Sequence, residues 1–260
     1  MLSRLLREFL FFIIHWIVDK LVAIENAYYQ FCAIINTKFN SHKKPVTKDE
    51  VLKIVRSMPR MQKRLKHLVM LADTSHHSVE DLASLVIWSL AAGIPHLTFY
   101  DITGDLKEHE KRFFVAVEKK KKEGIPGCIK WSNKPDLNGY TNGNQSNTII
   151  INIVSYSDGR PKIAQLIQNL AKNKSLCKKY SKVLTAQELD TVLLMDNGYN
   201  SFPEPDLALY TGPLCCTNGL LPWHIRLTEI LNLSLDHSIN VDSYIGALYR
   251  YNKCEQRFGT

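Results

Sequence analysis

The stretch HLVMLAD, His67 to Asp73, decides the fold class. Its Leu-Val-Met-Leu-Ala centre is a short continuous apolar run that closes on a carboxylate, and such a run without alternation suits a strand buried on both faces. A strand of that kind needs helices over it, and the flanking sequence supplies them. Upstream, Thr47 and Glu50 make a capping box that opens a helix through Arg56. Downstream, Ser78 caps a helix ending at Gly93, HLTFYD (His96 to Asp101) gives a second strand, and Leu106 to Lys122 a long helix with a lysine-rich end. TIIINIV, Thr148 to Val154, is the clearest strand and follows the turn-rich loop LNGYTNGNQSN. Pro161 to Asn173 and Thr185 to Leu194 read as helices, the latter with a Thr185/Glu188 capping box, and PDLALYTGP holds a later strand. Strands spaced by helices predict an α/β domain, a parallel sheet with helices on both faces. No internal repeat interrupts this pattern.

With 260 residues, 45% of them hydrophobic, the chain can build one full core and an appendage. A formal net charge of +8 points to a polyanionic neighbour, such as phosphate ligands, nucleic acid or an anionic membrane face, without choosing among them. Lys119 to Lys122 read as a solvated face that complements the helix dipole rather than a nucleic-acid patch. The cysteines Cys32, Cys128, Cys177, Cys215, Cys216 and Cys254 contain no CxxC pair, which argues for reduced thiols and against a zinc site.

Composition shifts at the N-terminus. FLFFIIHWIV, Phe9 to Val18, is the most apolar run, yet it is about half the roughly 20 residues needed to cross a bilayer. Arg7 and Glu8 precede it, Asp19 and Lys20 follow it, and no small-residue cleavage pattern comes after. WIVDKLVAIENAYYQF continues as an amphipathic helix with Trp16, Tyr28 and Tyr29 suited to headgroup level. Residues 1–36 are therefore expected to form a membrane-associating helical segment, lying in the interface or spanning short and tilted. Residues 37–59 read as a linker and short helix, with Lys38, Lys43 and Lys44 suited to a cytosolic side, and 60–260 as the folded domain.

Open α/β sheets bind ligands beyond the carboxyl ends of their strands. Asp73 falls there, as do Asp101 with Thr103 and Gly104, and Gly212 after the later strand; glycines and hydroxyls at these points could line an anion site. No GxGxxG, P-loop or GxSxG is present.

At these residues the chain resembles a known family. HLVMLAD, DLASLVIWSLAAGIPHLTFYDITG, PDLALYTGPLCCTNGLLPWHIRLTEI and the terminal RFG resemble the Nogo-B receptor family, the non-catalytic accessory subunits of eukaryotic dehydrodolichyl diphosphate synthase. The resemblance runs from about Arg60 to the end, and implies a cis-prenyltransferase-like fold. Catalytic cis-prenyltransferases extend an allylic diphosphate with isopentenyl diphosphate using magnesium. They carry Asp-Gly-Asn-Arg-Arg where this chain has Asp73-Thr74-Ser75-His76-His77, and an arginine-threonine-serine-glycine-glutamate segment where it has Tyr210 to Cys216. Both phosphate clamps are thus missing. Asp73 alone could bind magnesium, and Glu229 matches a metal-associated glutamate of catalytic relatives; His76 and His77 read as loop residues rather than a metal pair.

The resemblance further implies that Arg257 and Gly259, the terminal RxG, reach across a dimer to bind substrate diphosphate in a partner's active site. Arginine offers a planar fork of donors, and glycine lets the main chain approach an oxygen. The expectation is an obligate accessory subunit without a metal of its own, Mg2+ being held mainly by a catalytic cis-prenyltransferase partner. Residues around Trp223 to Leu231 and Val241 to Tyr251 are expected to be helices that aim the tail. The implied location is the endoplasmic reticulum membrane with the domain facing the cytosol and no nucleic-acid role, so the N-x-S sites Asn144, Asn173 and Asn232 should stay unmodified. The alternative is a membrane-anchored receptor or binding scaffold with no catalytic contribution.

Overall fold

Apolar runs long enough to be covered twice become the central strands. The computed structural model describes residues 2–39, 48–121, 125–132, 147–172, 185, 187–189 and 203–255. Helix α1 spans Leu2–Phe39. There follow α2 (Lys48–Ser57), β1 (His67–Ala72), α3 (Val79–Ala91), β2 (His96–Asp101), α4 (Asp105–Glu108), α5 (Glu110–Lys120), β3 (Cys128–Trp131) and β4 (Thr148–Ser155). The chain continues with α6 (Arg160–Lys172), β5 (Leu207–Thr211), β6 (Glu229–Ser234) and α7 (Val241–Lys253). Two compact units result, Met1–Lys43 and Lys44–Thr260, so α2, with Ile54 fully buried, belongs to the folded unit.

The strands form one sheet in the order β3-β4-β2-β1-β5-β6, every neighbouring pair parallel. All six residues of β1 are buried, as its sequence requires. Leu68, Met70, Leu97, Phe99 and Ile151 face one side, against α3, α5 and α7. There Phe113 of α5 meets Phe99 and Trp131 edge-on, with ring centroids 5.0 and 5.6 Å apart. Val69, Leu71, Tyr100, Val154 and Ala208 face the other side, under Ile163 and Leu166 of α6 and the loop residues Leu220 and Leu221.

Three readings change. The expected helix around Trp223 to Leu231 is a set of turns leading into β6. Positive φ at Asn218 (49°) and Leu221 (21°) bends the chain, and the Glu229 amide then bonds the Asp206 carbonyl at 3.0 Å to start a parallel edge strand. The single helix from Leu106 to Lys122 breaks at His109 into α4 and α5, with the α5 N-cap at φ −100°, ψ 27°. Its lysine-rich end is not wholly solvated, because Lys120 turns inward and donates to Ser84 Oγ at 2.7 Å. Of the expected capping boxes, Thr185 and Glu188 form theirs, whereas Thr47 lies outside the described residues.

In α1, Phe9, Phe12, Trp16, Leu21 and Ile24 are all exposed within their own unit. Among the described residues no helix is long and apolar enough to cross a membrane.

Candidate functional site

Strand order reverses between β1 and β5: the chain builds outward from β1 to β2 and β4 on one side, then returns to lay β5 on the other. The crevice at such a switch point is the natural ligand position of an open α/β sheet. A cavity of about 200 Å³ opens there, lined by Ala72 and Asp73 at the end of β1, Tyr210 and Thr211 at the end of β5, and Tyr100, Cys216, Asn218 and His237.

The loop after β1 folds back on its own carboxylate. Asp73 Oδ1 accepts from the amide of Ser75 at 2.9 Å and from its hydroxyl, and Oδ2 accepts from His76 Nδ1 at 2.8 Å. The Asp73 carbonyl accepts from the amides of His76 and His77 at 3.0 and 2.7 Å. The Asp73 amide donates to His77 Nδ1 at 3.0 Å, which places the proton of that ring on Nε2. His77 Nε2–H then donates to Thr211 Oγ1 at 2.9 Å, and the Thr211 hydroxyl donates to His237 Nδ1 at 2.9 Å. His237 stacks on His76, with centroids 4.1 Å apart and planes at 14°. Gly212, at φ +85°, admits that ring, since a Cβ there would stand 2.5 Å from His237 Cε1.

Electrostatics follow from this packing. Burial lowers the His77 pKa from 6.5 to about 4, and the nearby Asp73 carboxylate only partly opposes it. His237 is lowered by burial and by His76 beside it. For Asp73, burial raises the pKa, but the hydrogen bonds from Ser75 and His76 outweigh it and the net shift is downward.

Chemically, this is a loop closed on itself. Among the described residues no lysine or arginine lines the cavity, so they offer a diphosphate no cationic clamp. Magnesium does not fit here: both Asp73 oxygens are engaged within the loop, and among the described residues no group of three His, Cys, Asp or Glu is placed to hold a metal. Glu229 is not brought to Asp73. It pairs with Leu207, which pairs with Leu68, at the amino ends of the strands, so Asp73 stands five residues, roughly 16 Å, further along the sheet.

The other sequence candidates serve the loops. Asp101 is fully buried; its Oδ1 accepts from the Thr103 amide at 3.1 Å and hydroxyl at 2.8 Å, and its Oδ2 from the Leu106 amide at 2.8 Å. Gly104 turns the chain at φ +87°. The hydroxyl and glycine considered for an anion thus close the turn into α4. Asn232 donates from Nδ2 to the Gly212 carbonyl at 2.7 Å; Asn144 and Asn173 lie outside the described residues. Arg257 and Gly259 also lie outside them, beyond the last described residue, Glu255. Sequence reading missed His237, and Tyr100, whose hydroxyl donates to the Asn218 carbonyl at 2.6 Å. His237 sits in a loop turned by Asp236, which accepts from the Ser238 hydroxyl at 2.7 Å, and no spacing along the chain ties it to His76.

No family profile matches the sequence. Individual proteins do. The chain is 35% identical over 191 residues to the Homo sapiens protein named dehydrodolichyl diphosphate synthase complex subunit NUS1, covering 70% of this chain and 61% of that one. To the Mus musculus protein of the same name it is 32% identical over 210 residues, covering 76% of this chain and 67% of that one. The chain thus spans about three-fifths of the human relative's length. In fold it resembles a probable undecaprenyl diphosphate synthase from Campylobacter jejuni, with a TM-score of 0.50 at 14% identity, over 76% of this chain and 100% of that one.

Proposed function

The chain belongs to the family of NUS1 subunits of dehydrodolichyl diphosphate synthase complexes, and from that premise we propose that it is the accessory subunit of a heteromeric cis-prenyltransferase. The complex makes dehydrodolichyl (polyprenyl) diphosphate for dolichol synthesis and protein glycosylation. One observation carries the reading: the crevice where a prenyltransferase would hold its diphosphate is spent on internal hydrogen bonds from Asp73 through His77 and Thr211 to His237. A subunit with such a crevice contributes to prenyl transfer from elsewhere.

That contribution is the C-terminal tail. Arg257 supplies a fork of donors and Gly259 a main-chain approach to the diphosphate in the partner's active site, where the catalytic subunit holds Mg2+. The bound substrates are isopentenyl diphosphate and an allylic diphosphate. Residues 1–36 tether the complex to the endoplasmic reticulum membrane, with the folded domain in the cytosol. This is supported by α1, along which the large apolar residues Phe9, Phe12, Trp16 and Ile24 are all exposed.

The test is steady-state kinetics on complexes co-purified with a catalytic cis-prenyltransferase subunit, varying isopentenyl diphosphate. Arg257→Ala removes charge-assisted bonds worth about 1.5 to 3 kcal/mol, so activity should fall on the order of 10- to 100-fold while assembly holds. Arg257→Lys should recover part of it. Gly259→Ala should impair turnover sterically. Near-normal kinetics for both alanine variants would leave the chain a binding scaffold, and robust turnover by this chain alone would overturn the accessory role.

A further inference from the structure

The last turn of α7 is fastened to the segment that leads into the central strand. Asn252 Oδ1 accepts from the amides of both Gln62 and Lys63, at 2.8 and 2.9 Å. Lys63 then reaches past it: its Nζ lies over the Tyr251 ring, 4.9 Å from the centroid, and donates to the carbonyl of Cys254. Cys254 has left the helix, with φ −65° and ψ 128°, while its amide still bonds the Tyr251 carbonyl at 3.1 Å. Both sides of this fastening are rigid. Tyr244, Ala247, Leu248 and Tyr251 root α7 in the core, and the amides of Lys66 and His67 are held by Asp206 Oδ2 at 2.7 and 2.9 Å.

Arg257 is three residues beyond Cys254, so its Cα lies within roughly 10 Å of that fixed point. Over so short a span the direction in which the chain leaves the root decides where the guanidinium can go. We propose that Lys63, together with Asn252, is a positioning residue for prenyl transfer: it fixes the root of the C-terminal arm so that Arg257 is delivered to the diphosphate in the partner's site. This rests on the reading of the tail as the diphosphate-binding arm. Lys63 touches no substrate. Its ammonium acts on one carbonyl oxygen, and through it on the arm.

Removing the ammonium frees Cys254, and with Asn252 still bonded to the Gln62 and Lys63 amides the free length before Arg257 grows from three residues to about five. Dilution of the arm alone is then about twofold, and misdirection adds to it. In the co-purified complex, Lys63→Met should raise KM for isopentenyl diphosphate and lower kcat/KM by about three- to tenfold, with assembly unchanged. Asn252→Ala should act in the same sense. Lys63→Arg and Asn252→Asp, which restore the donor and the acceptor, should recover most of the loss. Lys53→Met, which removes a cation paired with Asp242 at the far end of α7, serves as control and should leave the kinetics unchanged. A merely structural role would lower the active fraction, and so kcat, at constant KM. The decisive arm is the double variant, because Lys63→Met added to Arg257→Ala should cost nothing further. Normal kinetics for Lys63→Met in a complex that Arg257→Ala does impair would overturn the positioning role alone, as would a Lys63→Met loss that persists in full without Arg257. Normal kinetics for Arg257→Ala would overturn both readings.

Discussion

His67 and His77 are both buried and both neutral, and the tautomer of each follows from its partners. In His67, Nδ1–H donates to the Pro203 carbonyl at 2.6 Å and Nε2 accepts from the Thr98 hydroxyl at 2.8 Å. Burial lowers its pKa to about 4, which the bond to Pro203 only partly offsets, and His77 falls to the same value. A folded pKa below the unfolded 6.5 means that the unfolded chain takes up protons first. Stability is therefore complete above about pH 6.5 and lost as pH falls toward 4, by about 3 kcal/mol for each histidine. Burial shifts His96 and His237 the same way. Urea unfolding at pH 7.5 and pH 5 should show a clearly lower midpoint at the acid value, and equal midpoints would mean that these rings are not held neutral. Sequence alone placed Asp73, His76 and His77 in one loop beyond β1. It could not show that His77 turns inward, because its partners Thr211 and His237 stand 134 and 160 positions further along the chain.

Among the elements, α3 is buried on nearly every side from Leu82 to Leu90, and its start is fixed by Ser78. Ser78 Oγ accepts from the Asp81 amide at 3.1 Å and donates to Asp81 Oδ2 at 2.6 Å. Ser78→Ala should cost about 1 kcal/mol. Because the helix cannot fray apart from the core it fills, that loss should appear in global unfolding, as a fall in Tm of about 2 to 4 °C. A normal Tm would show that the cap is redundant. Strands β1, β2, β4 and β5 were legible as apolar runs because both of their faces are covered. The outer strands were not. β3 has four residues with an exposed Lys130 at its centre, and five of the six residues of β6 are only half buried. An edge strand lacks the double cover that writes an apolar run into sequence, and in LPWHIRLTEI the scattered apolar positions mimic a helical face. What ends the helix reading is backbone geometry at Asn218 and Leu221, which composition does not encode.

For the whole molecule, the division at Lys43 and Lys44 predicts that two properties separate. Deleting residues 1–43 removes α1 but no strand and no core residue of the sheet, so the remainder should unfold in urea as cooperatively as the full chain. It should also lose flotation with liposomes, since the exposed apolar residues of α1 leave with it. Flotation that survives the deletion would locate membrane binding in the folded unit. For a lineage, the hydrogen-bonded chain from Asp73 through His77 and Thr211 to His237 works as a one-way step. Restoring at His77 alone the arginine of catalytic relatives takes from the Asp73 amide its acceptor and from Thr211 Oγ1 one of its two imidazole partners. It also forces a permanent cation into a place where burial already drives the proton off an imidazole. Changing Thr211 alone severs two rings at once. Each of these two substitutions toward a phosphate-holding loop therefore lowers stability before it adds a working group, so neither is an easy first move away from the closed loop.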